Sequence, residues 1–116
     1  MTQLFDEVVH PLEPSGTVAA WSPTADVVET PDGFEISLEL AGIQSEAVQV
    51  EAHGHWVTVR GTRPFPSESG EGVHRMERRY GPFVRTFELP AEVDGATATR
   101  VTHEGVLRLS IARARV

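Results

Sequence analysis

The sequence contains no cysteine, no lysine and no asparagine. Without cysteine there can be no disulfide, thiol nucleophile or thiolate metal site, which fits a reducing compartment. All ten basic residues are arginine, as a genome-wide codon bias would produce. No apolar run approaches the roughly 20 residues that a helical membrane span needs, so no membrane partner is expected. The opening Met1-Thr2-Gln3-Leu4-Phe5-Asp6-Glu7 lacks the basic and apolar regions of a secretion signal. That predicts a cytoplasmic protein. An excess of basic charge is also missing: the net charge is −7. Phosphate binding needs a basic face, so nucleic acid is not an expected partner.

The 116 residues, 40% of them hydrophobic, suit one domain with one core. Charge is unevenly placed. Residues 1–59 hold ten acids and no arginine, whereas residues 60–116 hold ten arginines and seven acids. Such halves attract each other within one domain or between subunits, and the sequence leaves both open.

Residues 1–20 are set apart as a short N-terminal arm. Leu4, Phe5, Val8, Val9 and Leu12 recur at helix-like spacing over about two turns. His10-Pro11 and Pro14-Ser15-Gly16 break that pattern. A helix this short is marginal alone, so the stripe is expected to fray or to dock on something apolar. From Trp21 onward the period becomes two. Phe34, Ile36, Leu38 and Leu40 alternate with polar or small residues after the turn Pro31-Asp32-Gly33. Val48, Val50 and Ala52 alternate on the next strand, and Val57 and Val59 on the one after it. Gly54 stands at the tip of the hairpin between them. Further strands are expected over residues 83–89, about 96–101, and 106–111. Several short strands at near-regular spacing predict an all-β fold, an antiparallel β-sandwich. The connection from Arg60 to Phe83 is long for a hairpin, and loops of that length tend to be functional. Its second half interleaves Val73, Met76 and Tyr80 with arginine, as in a segment that docks on a surface.

Four blocks then appear in fixed order: Leu40-Ala41-Gly42-Ile43, Val57-Thr58-Val59-Arg60-Gly61-Thr62-Arg63, Glu77-Arg78-Arg79-Tyr80-Gly81-Pro82-Phe83-Val84-Arg85-Thr86-Phe87-Glu88-Leu89-Pro90, and Gly105-Val106-Leu107. Together they resemble the α-crystallin domain of the small heat-shock proteins, the Hsp20 family, of bacterial and plant type. The resemblance spans residues 21–113 and leaves 114–116 as a residual tail. It implies an immunoglobulin-like sandwich and an ATP-independent holdase that binds unfolding client proteins, with no cofactor. It also implies a homodimer in which a strand in the long loop crosses to the partner's first strand. Here that strand would be Val73, His74, Arg75 and Met76, meeting Thr24, Asp26 and Val28. Arg85 stands where the family has an arginine at or near the dimer interface. Members usually carry an Ile-x-Ile/Val motif on a C-terminal tail, which docks in a groove between two edge strands of another dimer. This chain offers only Ala114-x-Val116, which predicts either a truncated chain or assembly limited to a dimer or small oligomer.

Particular residues admit more than one reading. Val48, Val50 and Ala52 face either the core or the groove, and the facing groove wall would be Ala98 and Val101. The strand before Gly105 reads Ala98-Thr99-Arg100-Val101-Thr102, without the large apolar residue usual there, so its inward face is open to question. Leu4, Phe5, Val8 and Val9 are expected to capture clients or to assemble, because an apolar stripe that cannot bury itself is sticky. Gly42, Gly61, Gly81 and Gly105 are read as strand-end turns. His53 and His55 flank Gly54 without an evident third ligand, so a solvated hairpin tip is expected and no metal. Glu77, Arg78, Arg79 and Arg85 read as interface charges, with Asp26 and Glu29 as acceptors. No phosphate loop, nucleophile elbow or H-E-x-x-H motif is present, so no enzyme is expected. Two alternatives share the fold: a p23-like cochaperone that docks on a folded chaperone, and a structural Ig-like interaction module.

Overall fold

The computed structural model describes residues 20–64 and 79–115, and the backbone of 6–8. Among the described residues there are eight strands: β1 (Asp6–Val8), β2 (Ala25–Glu29), β3 (Gly33–Glu39), β4 (Gln49–His53), β5 (Trp56–Arg63), β6 (Gly81–Glu88), β7 (Val93–His103) and β8 (Val106–Arg113). They form two antiparallel four-stranded sheets, ordered β1-β6-β5-β4 and β2-β3-β8-β7.

The period-two pattern explains the packing. Ile36 sits opposite Leu109 and Leu38 opposite Leu107, all on the inner face of one sheet. Val57 sits opposite Phe87 in the other sheet, with Val59 on the same inward face. Trp21, Phe34, Leu40, Ile43, Phe83, Leu89, Val93 and Ile111 complete one buried cluster between the sheets. Because side chains alternate strictly, a one-residue slip in any of these pairings would turn the apolar set to water.

Two glycines are required by geometry. Gly105 has φ +81°, and a Cβ there would stand 3.1 Å from the Cβ of Ala41. Gly61 is different: it lies within β5, opposite Phe83, and a Cβ would come within 2.9 Å of the Phe83 ring. It was expected at a strand end. The true reason for glycine there is the aromatic ring lying over its backbone.

The arm also departs from expectation. Where the apolar spacing suggested a helix, Asp6–Val8 is a strand, with Asp6 opposite Glu88 and Val8 opposite Thr86. An open sheet edge offers a full ladder of hydrogen bonds, which a two-turn helix cannot match on its own. Leu4, Phe5, Val9 and Leu12 lie outside the described residues, as do Val73, His74, Arg75, Met76, Glu77 and Arg78.

Candidate functional site

The edge strands β4 and β7 belong to opposite sheets and meet along one side of the sandwich. On β4, Val50 pairs with Val59 and Ala52 with Val57, so both point toward the interior, as does Val48 just before the strand. Val48 is 3% exposed and belongs to the core, which removes it from the proposed groove surface. Val50 and Ala52 are half-buried against the core margin and form one wall.

The facing wall is β7. Only Val93 is buried on this strand and only Ala98 is half-buried; its other residues are exposed. Ala98 packs against the core, as Val50 and Ala52 do, and its strand is in contact with β4. Val101, expected in the groove, pairs with Arg108 on the outer face and is 64% exposed. Alternation explains this: Arg100 and Thr102 pair with the buried Leu109 and Leu107, so they take the inward positions and Val101 does not. The register of β7 shifts between Asp94 and Thr99. There the Thr97 hydroxyl accepts the Ala112 N–H at 2.9 Å, and an Asp94 carboxylate oxygen accepts the Ala96 N–H at 3.0 Å. A bulge of this kind breaks the run of free edge groups that would otherwise invite uncontrolled strand pairing.

A second constellation surrounds the ends of the long connection. Arg63 closes β5, and its Nη1 donates to the Arg79 carbonyl at 2.8 Å, bridging the two ends of the segment between β5 and β6. The same guanidinium lies 4.2 Å from the centroid of the Trp21 ring. The Trp21 indole N–H donates to the Gly81 carbonyl at 2.7 Å, and its ring meets Phe83 with centroids 5.2 Å apart. The Ala20 N–H donates to the Pro82 carbonyl at 2.8 Å. Neither Trp21 nor Arg63 was singled out from the sequence. The only signal available for them was position: Trp21 opens the span of the resemblance and Arg63 ends its second block.

The third element is β2. Among the described residues it pairs only with β3, leaving its other edge open. Thr24 and Asp26 are exposed and Val28 is half-buried. Arg85 faces inward between Phe83 and Phe87. It donates to the Pro23 carbonyl, just before β2, and lies 5.0 Å from the centre of the Phe87 ring. Burial holds its guanidinium below the ordinary arginine value. Glu29, expected as an acceptor for interface arginines, instead pairs with Arg113 of its own chain. Arg113 also donates to the Pro31 carbonyl at 3.0 Å, so the contact closes the β2–β3 turn.

The hairpin tip shows no shared ligand geometry. His53 is 3.7 Å from Glu51, while His55 turns to Glu88 at 3.0 Å. Among the described residues no group of three or more potential ligands could hold a metal ion. An open depression of about 290 Å³ is lined by Thr30, Asp32, Phe34, Thr97, Ser110, Ile111 and Ala112. Among the described residues no helix is long and apolar enough to cross a membrane.

Comparison with known proteins gives a consistent result. The "Hsp20/alpha crystallin family" matches residues 26–116. The chain is 37% identical over 90 residues to a 17.7 kDa class II heat shock protein of Arabidopsis thaliana, covering 75% of this chain and 58% of that protein. It is 33% identical over 104 residues to a 16.9 kDa class I heat shock protein of Triticum aestivum, covering 88% and 69% respectively. Among solved structures, hspA from Xanthomonas axonopodis superposes with a TM-score of 0.72 at 33% identity, over 82% of this chain and 96% of that one. A small heat-shock protein from Xylella fastidiosa gives 0.70 at 32% identity, over 84% and 91%. The chain thus spans about 58% of the length of the Arabidopsis relative. With the two-sheet fold in agreement, the chain belongs to the Hsp20/alpha crystallin family.

Proposed function

We propose that this chain is an ATP-independent holdase that binds unfolding proteins through the apolar groove between β4 and β7 and so prevents their aggregation. The observation that carries this reading is that Val50 and Ala52 on β4 and Ala98 on β7 are half-buried apolar residues on two contacting edge strands, whose outer edges are open among the described residues. Such an edge binds an extended segment through backbone hydrogen bonds, with side chains seated in the apolar wall. Unfolding proteins expose just such segments. The net charge of −7 keeps the loaded complex dispersed.

The same proposal includes a homodimer formed through the open edge of β2. Arg85 supports it by holding the backbone at Pro23, so that Thr24, Asp26 and Val28 enter the strand in a fixed position. The connection between β5 and β6, its ends joined by Arg63 and Arg79, would supply the partner's strand. A cytoplasmic setting fits this role.

The test is light scattering from a heat-labile client with and without the chain, in the presence and absence of ATP. Suppression that ATP does not alter supports the holdase. No suppression at molar excess contradicts it. Suppression only when a folded chaperone is also present would favour the p23-like alternative.

A further inference from the structure

Arg100 occupies an inward position on β7, opposite the buried Leu109. From there it reaches the turn just before β4, where its Nη1 donates to the Ser45 carbonyl at 3.0 Å and to the Val48 carbonyl. One end of the apolar groove is therefore spanned by a cation. Arginine carries five N–H donors, and those on Nε and Nη2 are not used in these two contacts. Among the described residues no carboxylate pairs with this guanidinium.

We propose that Arg100 makes the groove selective for extended peptides that carry a carboxylate beside an apolar side chain. The inference rests on the groove reading given above and adds the chemistry of what the groove prefers. An extended peptide places same-face side chains roughly 6.6–6.8 Å apart, so an apolar side chain against Val50, Ala52 and Ala98 brings the residue two positions along toward Arg100. A wholly apolar or neutral segment has two choices there. It displaces Arg100 from the two carbonyls, or it leaves that end of the groove unfilled. A Glu or Asp side chain needs neither: it accepts from the remaining donors in a charge-assisted, two-pronged contact while Arg100 keeps its hold on the two carbonyls before β4. The groove's chemistry is thus an apolar seat ending in a fixed positive charge.

The test uses the full chain and two synthetic peptides that differ at one atom group: an Ile-x-Ile-x-Glu segment and its Gln counterpart, with capped termini, measured by fluorescence anisotropy. Arg100 is solvent-exposed, which limits the gain, so the expected preference for Glu is about fivefold. Arg100→Ala should abolish the preference and Arg100→Lys should keep part of it, with the melting curve of each variant confirming the fold. Equal binding of both peptides by the unaltered chain overturns the proposal, as does a Glu preference that survives Arg100→Ala. If neither peptide binds the unaltered chain or the variants, the groove reading itself fails and this inference falls with it.

Discussion

The Arg63 guanidinium stands 4.2 Å from the centroid of the Trp21 ring while its Nη1 donates to the Arg79 carbonyl at 2.8 Å. One side chain therefore ties the entry of the domain to both ends of the segment between β5 and β6. Arginine suits the task because its flat cation stacks on an indole and still presents donors at its edge. Replacing Arg63 by Ala should destabilise the fold by about 1–3 kcal/mol, the range for losing a cation–π contact and leaving a half-buried carbonyl without its donor. In a Trp56→Phe background the Trp21 emission should shift to the red. An unchanged spectrum and midpoint in denaturant unfolding would show that the contact carries no stability.

Arg85 invites a comparison of two replacements. Its charge is buried among Phe83 and Phe87, and it holds the Pro23 carbonyl. Arg85→Ala removes both the hydrogen bond and the packing volume, and should cost roughly 2–4 kcal/mol. Arg85→Met keeps most of the volume and removes the buried charge, so its midpoint should lie clearly above that of the alanine variant. Equal midpoints for the two would show that volume plays no part.

Gly105→Ala should be destabilising by about 1–2 kcal/mol, because φ +81° is a left-handed conformation that disfavours a Cβ. The added methyl would also crowd Ala41. Thermal unfolding measures it directly; a neutral result would mean that the Glu104–Gly105 turn relaxes without strain.

Removing residues 66–76 tests the dimer. The β5–β6 ladder and the Arg63 contact both lie outside the deletion, so the domain should remain folded. Its mass in solution should fall to that of a monomer. A dimer of unaltered stability would place the contact elsewhere.

How far the sequence could be read depended on what each residue answers to. β3 and β8 were legible because Phe34, Ile36 and Leu38 and Leu107, Leu109 and Ile111 obey only the core, and a core on one face imposes a period of two. Val48 and Val50 were ambiguous because the groove and the core share a face: both point inward, Val48 just before β4 into the core and Val50 on β4 against its margin. Val101 was misplaced because the bulge at 94–99 lies between it and the last secure anchor, Val93. β1 was hidden altogether. Its conformation comes from the free edge of β6, a partner some 80 residues away in sequence, and no local pattern announces it. The roles of Arg63 and Arg100 depend likewise on carbonyls brought near by tertiary structure, Arg79 for one and Ser45 and Val48 for the other.

The groove is the centre of the account, and paired light-scattering assays test it most directly. The unaltered chain and a Val50→Asp/Ala98→Asp double variant would each be mixed with the same heat-labile client below the melting point of both. Two carboxylates in the apolar seat should repel an incoming apolar segment at a cost of several kcal/mol, which is more than tenfold in affinity. The unaltered chain should suppress aggregation, and the folded double variant should do so at least tenfold less effectively. Full protection by a folded double variant would contradict it and place client capture on another surface.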